Sequence, residues 1–163
     1  MTKLEMDLLE ILKEGCRLSL EKLAVMTGTT TTEVAETIDN LEKNRVILRY
    51  APVINWDKTD RERVEAMIEV RVTPQRDMGF DAVAKRIYRF EEVKSVYLMS
   101  GGYDLALTVS GKTFRDIAMF VAHRLSPIDS VNSTATHFIL KKYKERGVVF
   151  EEEIKDERRM TLL

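Results

Sequence analysis

Residues 20–47 read LEKLAVMTGTTTTEVAETIDNLEKNRVI. Leu20, Leu23 and Ala24 fall at helical spacing and share one face. Thr27-Gly28-Thr29 breaks that pattern, and Gly28 is free to take the positive φ of a tight turn. Thr30 stands three residues before Glu33, the spacing of a capping box, so a second helix starts there. Val34, Ile38 and Leu41 give it an apolar stripe at i, i+4 and i+7. A short helix, a Gly turn and a longer amphipathic helix make a helix-turn-helix, whose commonest use is to lay its second helix in the DNA major groove.

Upstream, Leu4, Leu8, Ile11 and Leu12 form an amphipathic helix that stops near Gly15, and Ser19 caps the helix after it. Downstream, residues 46–50, VILRY, are β-prone. Ala51-Pro52 interrupts the run and Val53-Ile54 resumes it, which predicts a two-stranded wing. Residues 55–65 are polar and read as a linker, with Trp56 a packing anchor.

A second pattern follows. Ala66, Ile68, Val70 and Val72 alternate with Met67, Glu69, Arg71 and Thr73, the period of a half-buried strand. Phe80, Val83, Ala84 and Ile87 return to helical spacing. Residues 93–99 and 104–110 read as strands joined by Ser100-Gly101-Gly102-Tyr103, with both glycines available for a tight hairpin turn. Thr113 caps a helix striped by Phe114, Ile117, Val121 and Leu125, and residues 131–140 are rich in β-branched side chains. The order β-α-β-β-α-β is ferredoxin-like, with both helices on one face of a four-stranded antiparallel sheet. The other face is left bare, so at least a dimer is expected. The fold class is thus α+β: a winged helix-turn-helix over residues 1–54, a linker over 55–65, a ferredoxin-like domain over 66–140, and a charged tail over 141–163 that is held loosely or adds a strand to a neighbour.

Composition narrows the classes. The chain has 163 residues, 44% of them apolar and 33% charged, with net charge −1. That supports packed cores and argues against disorder. No apolar run approaches the ~20 residues that span a bilayer, so no membrane partner is expected. The lone cysteine, Cys16, cannot form an internal disulfide, and no signal-peptide pattern precedes it; both fit the cytoplasm. Residues 1–60 hold eight Lys/Arg against eleven Asp/Glu, a net of −3, while the remainder carries +2. A DNA-binding unit is usually the basic one, because phosphate neutralisation supplies most non-specific affinity.

Three stretches, RLSLEKLA at 17–24, NLEKNRVI at 40–47 and LMSGGYDLALTVSG at 98–111, occur in this order. With the pattern around them the chain resembles the Lrp/AsnC family of leucine-responsive and asparagine-synthesis regulators over residues 4–140. The resemblance implies a bacterial or archaeal transcription factor whose partner is double-stranded DNA. It implies a C-terminal domain that dimerises through its sheet, assembly up to octamers, and a small effector, usually an amino acid, bound between C-terminal domains near the hairpin loop. Members often carry Arg or Lys in the recognition helix. Here residues 30–39, TTTEVAETID, hold acids and no base.

The DNA-contact candidates are Thr30, Thr31, Thr32, Glu33 and Glu36 at the start of that helix, with Lys43, Arg45 and Arg49 after it. Threonine hydroxyls can bond phosphates and base edges, and glutamate can accept from a cytosine amino group. Capping alone would also account for Thr30 and Glu33. The effector candidates are Ser100, Gly101, Gly102, Tyr103 and Asp104. Turn chemistry suffices for the glycines, but Asp104 opens a strand, where Asp is disfavoured. A carboxylate there can pair with an effector's ammonium while loop N–H groups hold its carboxylate. Thr134 and Thr136 share one face of the last strand and would complete the pocket. His123 and His137 lack neighbours at metal-ligand spacing, and no nucleophile–base pair, P-loop or dinucleotide fingerprint occurs. No metal, cofactor or enzymatic activity is expected. The alternative to a DNA-binding regulator is a metabolite-sensing module with a degenerate DNA-binding domain.

Overall fold

A computed structural model describes residues 1–74 and 79–151. The chain divides into two compact units, Met1–Ile54 and Asn55–Leu163.

The first unit is three helices: α1 (Lys3–Glu14), α2 (Leu20–Thr27) and α3 (Thr31–Lys43). Each begins on a hydroxyl cap, Thr2, Ser19 and Thr30, that accepts a backbone N–H of the first turn. Gly28 ends α2 in the left-handed region, φ +69°, as the turn requires. Leu8, Leu23, Ala24 and Val34 bury one side of each helix in a shared core, flanked by Leu4, Ile11, Leu12 and Ile38. The expected wing is not formed: residues 46–54 carry no strand. Exposed Val46 and Leu48 find no hydrogen-bonded neighbour strand, and Pro52 lacks the N–H that a ladder would need.

In the second unit a 3₁₀ turn (Trp56–Lys58) precedes β1 (Val64–Val72), α4 (Asp81–Ile87), β2 (Val93–Leu98), β3 (Leu105–Gly111), α5 (Phe114–Phe120) and β4 (Val131–Phe138). The sheet is antiparallel throughout, in the order β2-β3-β1-β4 that the ferredoxin-like pattern calls for. Ala66, Ile68, Val70 and Val72 of β1 share one core with Val83 and Ile87 of α4 and Ile117 and Phe120 of α5. Each such side chain contributes about 1.5–3 kcal/mol on leaving water. The alternate residues face the uncovered side, where Met67 and Tyr97 are 48% and 59% exposed. The tail begins with a turn of order: β5 (Lys144–Glu145) and β6 (Val148–Val149) form a small hairpin with Arg146 (φ 49°) and Gly147 (φ 85°) at its tip. Lys142 ties that hairpin to the sheet through Glu65, at 2.6 Å, and Glu145, at 3.0 Å. The proposed tail strand at Thr161–Leu163 lies outside the described residues.

The connection 99–104 between β2 and β3 departs from the tight turn expected. Met99 N–H donates to the Asp104 carbonyl (2.8 Å) across a wide loop, and neither Gly101 nor Gly102 has positive φ. Asp104 has a structural task there. Its N–H donates to the Val70 carbonyl (3.0 Å), the last backbone rung between β1 and β3. β1 runs two residues further, so the Val72 N–H points at the same side with no β3 backbone opposite. The Asp104 carboxylate reaches across and accepts it, Oδ2 to N 2.8 Å. Val72 is 5% exposed, so water cannot replace that partner. Asp104→Ala is expected to destabilise the chain by about 1–3 kcal/mol in urea unfolding, the cost of an orphaned buried N–H. Asp104→Asn, whose amide oxygen still accepts, should recover most of it.

Candidate DNA and effector sites

At the start of α3 the threonines divide by task. Thr30 caps the helix: its Oγ1 accepts the Glu33 N–H (3.2 Å), and Glu33 Oε2 accepts the Thr30 N–H (3.2 Å). Thr29 Oγ1 also donates to Glu33. These bonds, Thr29's first, hold the Glu33 carboxyl below the usual carboxylate range. Its negative charge also sits well at a helix N-terminus. Glu33 is therefore engaged by the cap rather than extended toward a base. Because its folded value is lowered, the stabilisation it lends is present above the ordinary carboxylate pKa and lost as pH falls through the folded one.

Thr31 and Thr32 have no such task. Both are exposed on the first turn, beside the exposed Glu36. Lys43, on the last turn, is paired with Asp39 four residues back, so its charge is partly spent within the helix. Tyr50 Oη donates to Glu42 Oε1 (2.9 Å) and pins the following segment to α3. Burial and then that carboxylate push its pKa up to about 12. Arg49 is exposed one residue before it.

Arg45 occupies an unusual backbone position. Its N–H donates to the Glu42 carbonyl and the Val46 N–H to the Leu41 carbonyl, both at 2.9 Å, the paired bonds of a Schellman stop. The stop places Arg45 at φ 58°, where glycine is the usual occupant. The exposed side chain is thus kept against a backbone preference.

The effector candidates separate onto two sides of the sheet. Thr134 and Thr136 stand in register with Val70 and Ile68, and so face the helix layer; Thr134 Oγ1 lies 3.5 Å from Ser126 Oγ. Tyr103 instead lines a groove of about 250 Å³ on the uncovered face, with Met67, Glu69, Ala106 and His137. His137 Nε2 stands 3.4 Å from Glu69 Oε1 there. Ser100, Gly101 and Gly102 are exposed at the loop tip. A Cβ on either glycine would meet nothing within 4 Å, so neither turn geometry nor packing within the chain explains them. The period of two correctly put the threonines together but could not say which face they share with the loop. Among the described residues no cluster suited to a metal ion occurs.

Comparison with known proteins follows this division. The Lrp/AsnC ligand-binding domain family matches residues 65–149. An uncharacterized HTH-type transcriptional regulator of Bacillus subtilis, YugG, is 55% identical over 93% of this chain and 92% of its own. The leucine response regulatory protein LrpA of Mycobacterium tuberculosis superposes with a TM-score of 0.74 at 21% identity, covering 90% of this chain and 97% of that one. A transcriptional regulator of Neisseria meningitidis solved as a complex with L-Met does so with a TM-score of 0.69 at 19% identity, over 88–93% or so of the two chains: 89% of this one and 93% of that one.

Replacing Arg45 by glycine relieves the strained φ while raising the freedom of the unfolded chain. The net is expected to be a gain of up to about 1 kcal/mol in urea unfolding. A loss of stability would show that the arginine is held by packing. By sequence and by fold, the chain belongs to the Lrp/AsnC family of HTH-type transcriptional regulators.

Proposed function

We propose that the chain is a sequence-specific DNA-binding regulator whose second unit takes a small effector, an amino acid, at loop 99–104. The observation that carries the DNA reading is the first turn of α3. Its cap is closed by Thr30 and Glu33, which leaves Thr31 and Thr32 exposed on a rigid helix end and free to meet base edges. Arg45 and Arg49 follow at its far end for phosphates. The effector reading is supported by two glycines with open space around them, next to Tyr103. Bare backbone N–H groups there suit a carboxylate. The Neisseria regulator of the same fold was solved with L-Met. Two copies packing their uncovered faces together would bury Met67 and Tyr97 and bring two such loops into one assembly.

A second reading, a sensor with a degenerate DNA-binding unit, is favoured by the charges of α3: Glu33, Glu36 and Asp39 are exposed, and its one base is paired with Asp39. Two copies of Arg45, Arg49 and Lys43 offer about six phosphate contacts, each worth about −0.9 in the slope of log affinity against log salt. One dimer should then bind weakly, and useful affinity should come from several dimers on successive half-sites.

The test is binding to chromatin-captured fragments carrying one, two or four half-sites, across a salt series. Thr32→Ala is expected to lower sequence preference; Arg45→Gly is expected to weaken all sequences alike and flatten the slope. Tight binding to one half-site pair with no gain from more would refute the multivalent reading, and no binding at any salt would leave only the sensor. For the effector, calorimetry with the twenty amino acids should find a ligand whose affinity falls at least tenfold in Gly101→Val, a side chain that the fold tolerates but a bound ligand does not. Equal affinity would remove the ligand from this loop.

A further inference from the structure

A second groove, of about 770 Å³, lies at the end of the β2–β3 hairpin opposite loop 99–104. One wall is residues 60–63, the segment leading into β1. The facing side is Glu91, Glu92 and Lys94 at the start of β2, with residues 110–112 at the end of β3. It lines up four basic and four acidic side chains, so as a whole it favours neither an anion nor a cation.

Two features give it direction. Glu92 bonds Arg124 through Oε1, while Oε2 is buried with no hydrogen-bond partner. A carboxylate oxygen cut off from water and left without a donor is costly, and a charged donor would relieve it. Arg124 is fixed in place over Phe90, 4.5 Å from the ring centroid. On the other wall Arg61 and Arg63 stack on Trp56, at 5.6 and 5.1 Å. Stacking holds a guanidinium by its face and leaves its edge donors in a fixed plane. Arg63 spends one donor on Glu65 (3.0 Å), whereas Arg61 and the exposed Lys112 make no ion pair among the described residues.

We propose that this groove binds a small zwitterion, its ammonium donating to Glu92 Oε2 and its carboxylate held by Arg61 and Lys112. The site is separate from loop 99–104 and stands whether or not that loop binds an effector. Its occupant would bridge the start of β2 to the segment that connects the sheet with the helical unit.

Trp56 is the only tryptophan in the chain, and two residues of the groove wall cover it, so its emission reports on the site. The full chain is titrated with the twenty amino acids and β-alanine, and with trimethylglycine as a zwitterion that cannot donate an N–H. At least one ammonium zwitterion should shift Trp56 emission saturably, trimethylglycine should not, and both Lys112→Ala and Glu92→Gln should weaken the response about tenfold or more, the worth of a charged hydrogen bond. Lys112 is exposed and unpaired, so its loss leaves the fold intact if Glu92→Gln does not. No saturable shift up to about 10 mM, well above a ~1 mM dissociation constant, would overturn the proposal. So would a shift that Lys112→Ala spares, or one that Tyr103→Ala removes while Lys112→Ala leaves it, which would assign the ligand to the loop.

Discussion

The sheet unit depends on one strand. β1 is hydrogen-bonded on both sides, to β3 and β4, and its alternation sorts the domain into a packed face and a bare one. A one-residue slip would drive Glu69 and Arg71 into the helix layer and put Ile68 and Val70 outside. The register is pinned at the strand's far end. There the ladder shifts by one residue opposite Arg71 and Val72. Thr73 bonds the Ser130 carbonyl (2.9 Å) and the Asn132 side chain, and Asp104 takes the Val72 N–H from the other side. Both strands that flank β1 therefore end on side chains that stand in for missing backbone partners.

That arrangement explains what was legible and what was not. Periodicity located every helix and all four strands of the main sheet, because each buries one face and the burial imposes its period on residues such as Ala66-Ile68-Val70. The capping box at Thr30 and Glu33 was readable for the same reason: it is a local bond between residues three apart. Long-range substitutions were not. Asp104 reads as a misplaced strand residue, hence a ligand group, until Val72, thirty-two residues away, is seen to need it. The facing of Thr134 and Thr136 likewise follows from register with β1, which no local pattern encodes. The Arg146-Gly147 turn was passed over because its strands are only two residues each, too short to alternate. The wing failed for the opposite reason: residues 46–54 have strand propensity but no partner strand, and β propensity expresses a fit to neighbours more than a backbone preference.

The helical unit balances its charges differently from a strongly basic DNA-binding domain. Glu33 is drawn into the cap and Asp39 offsets Lys43, so two of the three acids on α3 serve the helix itself. What remains facing outward near the helix start is hydroxyls and Glu36. A surface of that kind gains little from counterion release and so discriminates by short-range contact more than by attraction at a distance. Arg45 fits the same economy. Where a glycine would end α3 with less strain, the chain keeps one fixed positive charge at the point where the backbone reverses.

On the proposed reading, the two grooves of the sheet unit act on different equilibria. Loop 99–104 borders the uncovered face, so a ligand there is sensitive to whether a second copy covers Met67 and Tyr97. The charged groove borders residues 60–63, so a ligand there is sensitive to how that connecting segment is held. A ligand shifts an assembly only by its difference in affinity between two states. The first site therefore couples to oligomer size and the second to the tether of the helical units. Linkage then makes each coupling reciprocal: DNA that favours one spacing of helical units must tighten or loosen the charged groove by the same factor. A single chain can in this way answer two concentrations through one sheet, with β1 common to both because its two ends carry the two sites.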